Sequence, residues 1–87
     1  MGRRLAMVAA EGTHTSPWIL AIGRELEVHV SGSGLIVMEL ESRDGTVRLQ
    51  SLLDGSSKLD GMKTVKRYRV LKTAVASDTP TTVEIIY

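Results

Sequence analysis

The chain holds two histidines, ten carboxylates and no cysteine. Disulfides, thiol nucleophiles and thiolate metal sites are therefore excluded. Acid–base or nucleophilic chemistry needs groups that converge with tuned proton affinities. His14 falls in Gly12-Thr13-His14-Thr15-Ser16, which reads as a loop, and His29 falls on the polar side of an alternating stretch. No serine stands in the Gly-x-Ser-x-Gly setting of a nucleophile elbow. Glu25, Glu27 and His29 project from one side of that stretch and have the residue types of a divalent-metal site. Neighbours two apart on a strand lie roughly 6.5–7 Å apart, so ligation would need converging side chains and supporting hydrogen bonds. The same spacing is what any half-buried strand shows, and that is the preferred reading. Gly32-Ser33-Gly34 opens like a dinucleotide fingerprint but lacks the third glycine and a following helix. Neither catalysis nor a cofactor is expected.

Binding chemistry is better represented. Lys63, Lys66, Arg67, Arg69 and Lys72 make a basic segment that could meet phosphates, with Tyr68 available to stack on a base if it were exposed. Alternation instead turns Tyr68 inward, and the net charge is only +1, so direct nucleic-acid contact is not expected. The charge is uneven along the chain. Between Glu11 and Asp44 the carboxylates Glu11, Glu25, Glu27, Glu39, Glu41 and Asp44 meet only Arg24 and Arg43; between Lys58 and Lys72 six bases meet only Asp60. Complementary segments of this kind suit association of identical copies, whereas the plainer reading is a solvated face on each of several strands. Trp18, the only tryptophan, is a candidate anchor. The residues expected to touch a partner are Arg3, Arg4, Trp18, Arg67 and Arg69. Arg67 and Arg69 are expected to pair with carboxylates such as Glu25, Glu27, Glu39 or Glu41 of another copy, in a contact that salt loosens.

These residues are positioned by short alternating runs separated by Gly, Asp and Ser, the pattern of strands and tight turns. Leu26, Val28 and Val30 share one side of residues 24–30, with Glu25, Glu27 and His29 on the other. Strands are expected over residues 5–10, 18–22, 35–42, 46–52, around Tyr68 and Val70, and over 81–87. Asp44-Gly45 predicts a type I′ hairpin, Ser31–Gly34 and 76–80 predict turns, and 53–61 predicts a loop. A helix over 58–69 is the competitor, opposed by Asp60-Gly61 and the alternation that follows. About seven strands at 8–12-residue spacing predict a single all-β antiparallel sandwich or barrel. The expected core is Leu26, Val28, Val30, Val37, Val47, Leu49, Tyr68, Val70, Val83 and Ile85. Residues 1–10 are expected to be an N-terminal arm or edge strand, ordered by pairing or by another chain, with 11–87 as the β domain.

A chain of 87 residues buries only about 60–65% of its unfolded surface, so neighbouring subunits are a natural source of further stability. No apolar run approaches the ~18–20 residues of a membrane span. The stretch Leu5–Ala10 after Arg3-Arg4 is short for a signal-peptide core, and without Asn there is no N-glycosylation site. Synthesis in the cytoplasm is the simplest expectation.

Gly23-Arg24-Glu25-Leu26-Glu27-Val28-His29-Val30-Ser31-Gly32, then Asp44-Gly45-Thr46-Val47-Arg48-Leu49-Gln50, then Tyr68-Arg69-Val70 and a closing strand over 81–87 together resemble small structural proteins of tailed-bacteriophage virions. These are the β-sandwich head-decoration (cement) proteins and the head–tail or tail accessory subunits. The resemblance runs from about residue 23 to the end and is one of strand and turn order. It implies a non-enzymatic virion protein that grips copies of itself and/or a major capsid or tail protein, and it carries no catalytic residues. A free-standing carbohydrate- or peptide-binding β-sandwich module is the alternative.

Overall fold

A computed structural model describes residues 2–32, 34–77 and 79–87. Met1 of the N-terminal segment, Ser33 of the 31–34 turn and Asp78 of the 76–80 turn lie outside the described residues. The strands are β1 (Arg3–Ala9), β2 (His14–Thr15), β3 (Ile19–Leu20), β4 (Leu26–Ser31), β5 (Leu35–Ser42), β6 (Val47–Leu52), β7 (Gly55–Leu59), β8 (Val65–Thr73) and β9 (Thr81–Ile86). Seven of them have five residues or more. The competing helix is reduced to one 3-10 turn, Met62–Thr64, entered through Gly61 at φ 69°.

Two antiparallel sheets result. The first has the order β1-β9-β4-β7 and the second β2-β8-β5-β6, with β3 also on β8. The molecule measures 37 × 28 × 18 Å, and the short dimension suits two layers about 10 Å apart. The protein is an all-β sandwich. Alternation decides which side chains enter it. Leu26, Val28 and Val30 of β4, Val83 and Ile85 of β9, and Tyr68 and Val70 of β8 are all buried and clustered in the core. Their neighbours Glu27, His29, Glu84, Arg67 and Arg69 point the other way, as period two requires.

β1 lies at the edge of the first sheet, paired with β9 from Arg3 opposite Ile86 to Ala9 opposite Thr81. It also sends Ala6, Met7 and Ala9 into the core, so residues 2–10 are built into the domain. Sheet continuity at the other side is kept by Ser16. Pro17 has no N–H to give, and Ser16 Oγ accepts the Val70 N–H at 2.8 Å in the interval between β2 and β3.

Several expectations need correction. Val47 and Leu49 are exposed and Val37 is only half-buried; β5 buries Ile36, Met38 and Leu40 instead. Val47 and Leu49 lie opposite Glu41 and Glu39, on the outer side of the sheet. The inward side of β6 carries Arg48 and Gln50, both exposed at the margin of the core, before Leu52 enters it; the inward side of β7 carries Gly55 and Ser57 before Leu59 does the same. Residues 55–59 form β7 on β4 rather than a loop. The 42–46 hairpin is not type I′, because only Gly45 has positive φ. Ser42 O accepts the Gly45 N–H at 3.0 Å and Ser42 N–H donates to Thr46 O at 2.8 Å, a three-residue loop closed by a glycine bulge. Lys72 is buried on the inner side of β8, with Nζ donating to the carbonyls of Ala10 at 3.2 Å and Thr79 at 3.1 Å. It fastens the end of the core and is no part of a basic surface.

Candidate functional site

The outer face of the second sheet is built on the pairing of β5 with β8. That pairing sets Glu39 opposite Arg69 and Glu41 opposite Arg67. Both pairs close as ion pairs: Arg67 Nη2 lies 2.8 Å from Glu41 Oε2, and Arg69 Nε lies 3.0 Å from Glu39 Oε2. Lys66 Nζ adds a third contact, 3.3 Å from Glu41 Oε1. The Arg67 hydrogen bond, which outweighs the opposing effect of burial and is helped by Lys66, holds the Glu41 carboxyl below its ordinary range. Trp18 crosses this ladder from the β2–β3 segment. The guanidinium carbons of Arg67 and Arg69 lie 4.1 and 4.4 Å from its ring centroid, within the range of cation–π attraction.

The charge asymmetry of the sequence is thus neutralised inside one copy along this ladder, by Glu39 and Glu41 against Lys66, Arg67 and Arg69. An acidic strand is laid beside a basic one. Around the ladder the face is apolar. Leu20, opposite Arg67 on β3, is 78% exposed, and Leu49, opposite Glu39 on β6, is 67% exposed. Val47 extends the Arg67–Glu41 row, and Val37 lies between Leu71 and Ser51 in the next. Leu35 and Leu53 are also largely exposed, at that end of the two strands.

Of the five residues expected to meet a partner, three come together here: Trp18, Arg67 and Arg69. The other two diverge. Arg3 is on the outer side of the first sheet, where its Nη1 pairs with Glu84 Oε1 at 2.9 Å. Arg4 lies at the end of the sandwich, lining a small cleft with Ile19, Leu20, Tyr68 and Tyr87. Burial pushes the Tyr68 phenol up, against the pull of the Arg4 charge. The apolar members of the face were missed by sequence reasoning because Val47 and Leu49 alternate as core residues would; only the strand pairing reveals their side.

The acidic trio does not converge. Glu25 precedes β4 and lines an open cleft with Arg24, Met62 and Lys63. Glu27 Oε1 is 3.3 Å from His29 Nε2 without forming a hydrogen bond. His14 is remote from both, with Nε2 donating to Glu11 O at 3.2 Å. Among the described residues no three His, Cys, Asp or Glu side chains are grouped to hold a metal, and no helix is long and apolar enough to cross a membrane.

No family model, curated protein or solved structure matches the chain. The functional reading therefore rests on its own surface.

Proposed function

We propose that this chain is a non-enzymatic structural subunit of a tailed-bacteriophage virion, a capsid decoration (cement) or head–tail accessory protein made in the host cytoplasm. It grips neighbours, copies of itself and/or a major capsid or tail protein, through the outer face of the second sheet. The observation that carries this reading is the exposed apolar surface around the ladder, with Leu20 and Leu49 exposed by 78% and 67%. A single exposed leucine needs no explanation, but a clustered set on one sheet face marks an interaction surface. The ladder supports it by adding a rigid, internally neutralised centre, which a neighbour can cover without leaving a charge unpaired. A sugar-binding module is less favoured, since the one tryptophan is already engaged by two guanidinium groups.

The test is fractionation of particles from cells that make the chain. The native protein should travel with the particle band, and Leu35→Glu with Leu49→Glu should leave that band while keeping its circular dichroism spectrum. A native chain recovered only at the top of the gradient would overturn the reading.

A further inference from the structure

We propose that β6 is a homotypic docking edge. Two copies pair their β6 strands antiparallel about a two-fold axis at Leu49, joining their second sheets into one. This deepens the proposed assembly role and names its partner as a second copy of the chain.

The first support is a contrast between edges. Free strand edges are usually blunted by charge, proline, bulges or short length. β1 carries Arg3 and Arg4 and a register irregularity between Leu5 and Met7. β2 and β3 have two residues each, with Pro17 between them. β7 is largely glycine and serine and bears Lys58. β6 has none of these guards. It pairs with β5 without irregularity over its whole length, from Glu41 opposite Val47 to Ile36 opposite Leu52. Its one charge, Arg48, is folded back so that Nη2 donates to Asp60 O at 2.7 Å.

The second support is the direction of the backbone groups. Ser42 N–H bonds to Thr46 O, so Ser42 and Thr46 begin the ladder as a hydrogen-bonded pair. In an antiparallel pair such positions alternate. Arg48, Gln50 and Leu52 therefore exchange hydrogen bonds with β5, and Val47, Leu49 and Ser51 aim their N–H and C=O groups outward. A two-fold axis at Leu49 uses all three: Leu49 faces the second copy's Leu49, and Val47 faces the second copy's Ser51.

The third support is complementarity. In that register Arg48 faces the second copy's Gln50, so no like charges oppose one another across the seam. The exposed Leu49 side chains meet at the centre, and the two apolar outer faces become continuous. One six-residue strand makes a small contact, at or below ~1,200 Å², suited to weak pairing that strengthens where copies are crowded.

Proline at position 49 separates the possibilities. Leu49→Pro removes an N–H that β5 does not use, at the solvent side of an edge where proline is tolerated. The native chain should reach the mass of two copies as its concentration rises through the millimolar range in sedimentation equilibrium. Leu49→Pro should remain one copy with an unchanged far-ultraviolet spectrum. Should that variant not fold, Leu49→Cys replaces it. The chain has no other thiol, and a hydrogen-bonded cross-strand pair about 5.5 Å apart at Cα lies within disulfide reach; mild oxidation should give one cross-linked dimer. A native chain that stays one copy, a Leu49→Pro chain that associates like the native one, or a folded Leu49→Cys chain that does not cross-link overturns the pairing. These outcomes leave the particle-band experiment unaffected, so the two ideas fail separately.

Discussion

Glu41 sits between two cations, with Arg67 Nη2 at 2.8 Å and Lys66 Nζ at 3.3 Å, and its side chain is 14% exposed. Its carboxyl is held below the ordinary range, first by the Arg67 hydrogen bond. A carboxyl made more acidic by folding contributes stability above its unfolded value, ~4.3 for glutamate. That contribution is lost as pH falls through the lower folded value. Asp44 behaves alike, because its Oδ1 accepts the Thr46 N–H at 2.9 Å. Acidification from about pH 7 to about pH 3 should lower the urea midpoint of the native chain, and Glu41→Gln should shrink that drop without abolishing it. Equal drops in both proteins would show that Glu41 contributes nothing to acid sensitivity. The same ladder alters what a charge reversal measures. Arg67→Glu with Arg69→Glu would set four carboxylates on adjoining strands and disturb the sheet before any neighbour is present. A role for these arginines toward a partner is readable only from a full swap that includes Glu39→Arg and Glu41→Arg.

β4 and β6 show why alternation is a good guide to strands and an incomplete guide to the core. Both alternate cleanly in sequence. β4 lies between β9 and β7 with a second sheet over its apolar side, so Leu26 is 2% and Val28 0% exposed. β6 is the last strand of its sheet, and its Val47 and Leu49 belong to the outer side while only Leu52 enters the core. Leu26→Ala should therefore cost roughly 2–5 kcal/mol, whereas Leu49→Ala should stay within ~0.5 kcal/mol. Urea unfolding at dilute concentration compares them directly, and a large loss in the Leu49 variant would return that residue to the core. The sandwich and most strand positions were legible, since period two survives any pairing order. The site was legible in its residues but not in its contacts. Trp18, Arg67 and Arg69 stand out by type, yet that Arg67 meets Glu41 follows from β5 lying beside β8, which no local pattern specifies. β7 was hidden because Gly55-Ser56-Ser57 has turn composition and gains its strand geometry only from pairing with β4.

At the scale of the whole molecule, the segregated charge of the sequence finds its complement within the fold. Strands from the acidic first half lie against strands from the basic second half: Glu39 and Glu41 against Arg69 and Arg67, and Glu27 opposite Lys58. Lys72 is spent inside the core. On the outer face of the second sheet the ladder charges are already paired within the copy, and what surrounds them is leucine and valine. That reverses the salt dependence expected from the sequence. Electrostatic association weakens as screening shortens to ~3 Å at 1 M salt. Apolar contact and strand hydrogen bonds are not screened, and salts excluded from protein surfaces strengthen burial. Self-association measured by sedimentation should therefore be unchanged or stronger at about 1 M sodium chloride or sulfate than at low salt. Leu49→Glu should reduce it at every salt concentration. Dissociation on adding salt would instead place the contact on ion pairs between copies, with the Arg67 and Arg69 rows exchanging their carboxylates across the interface.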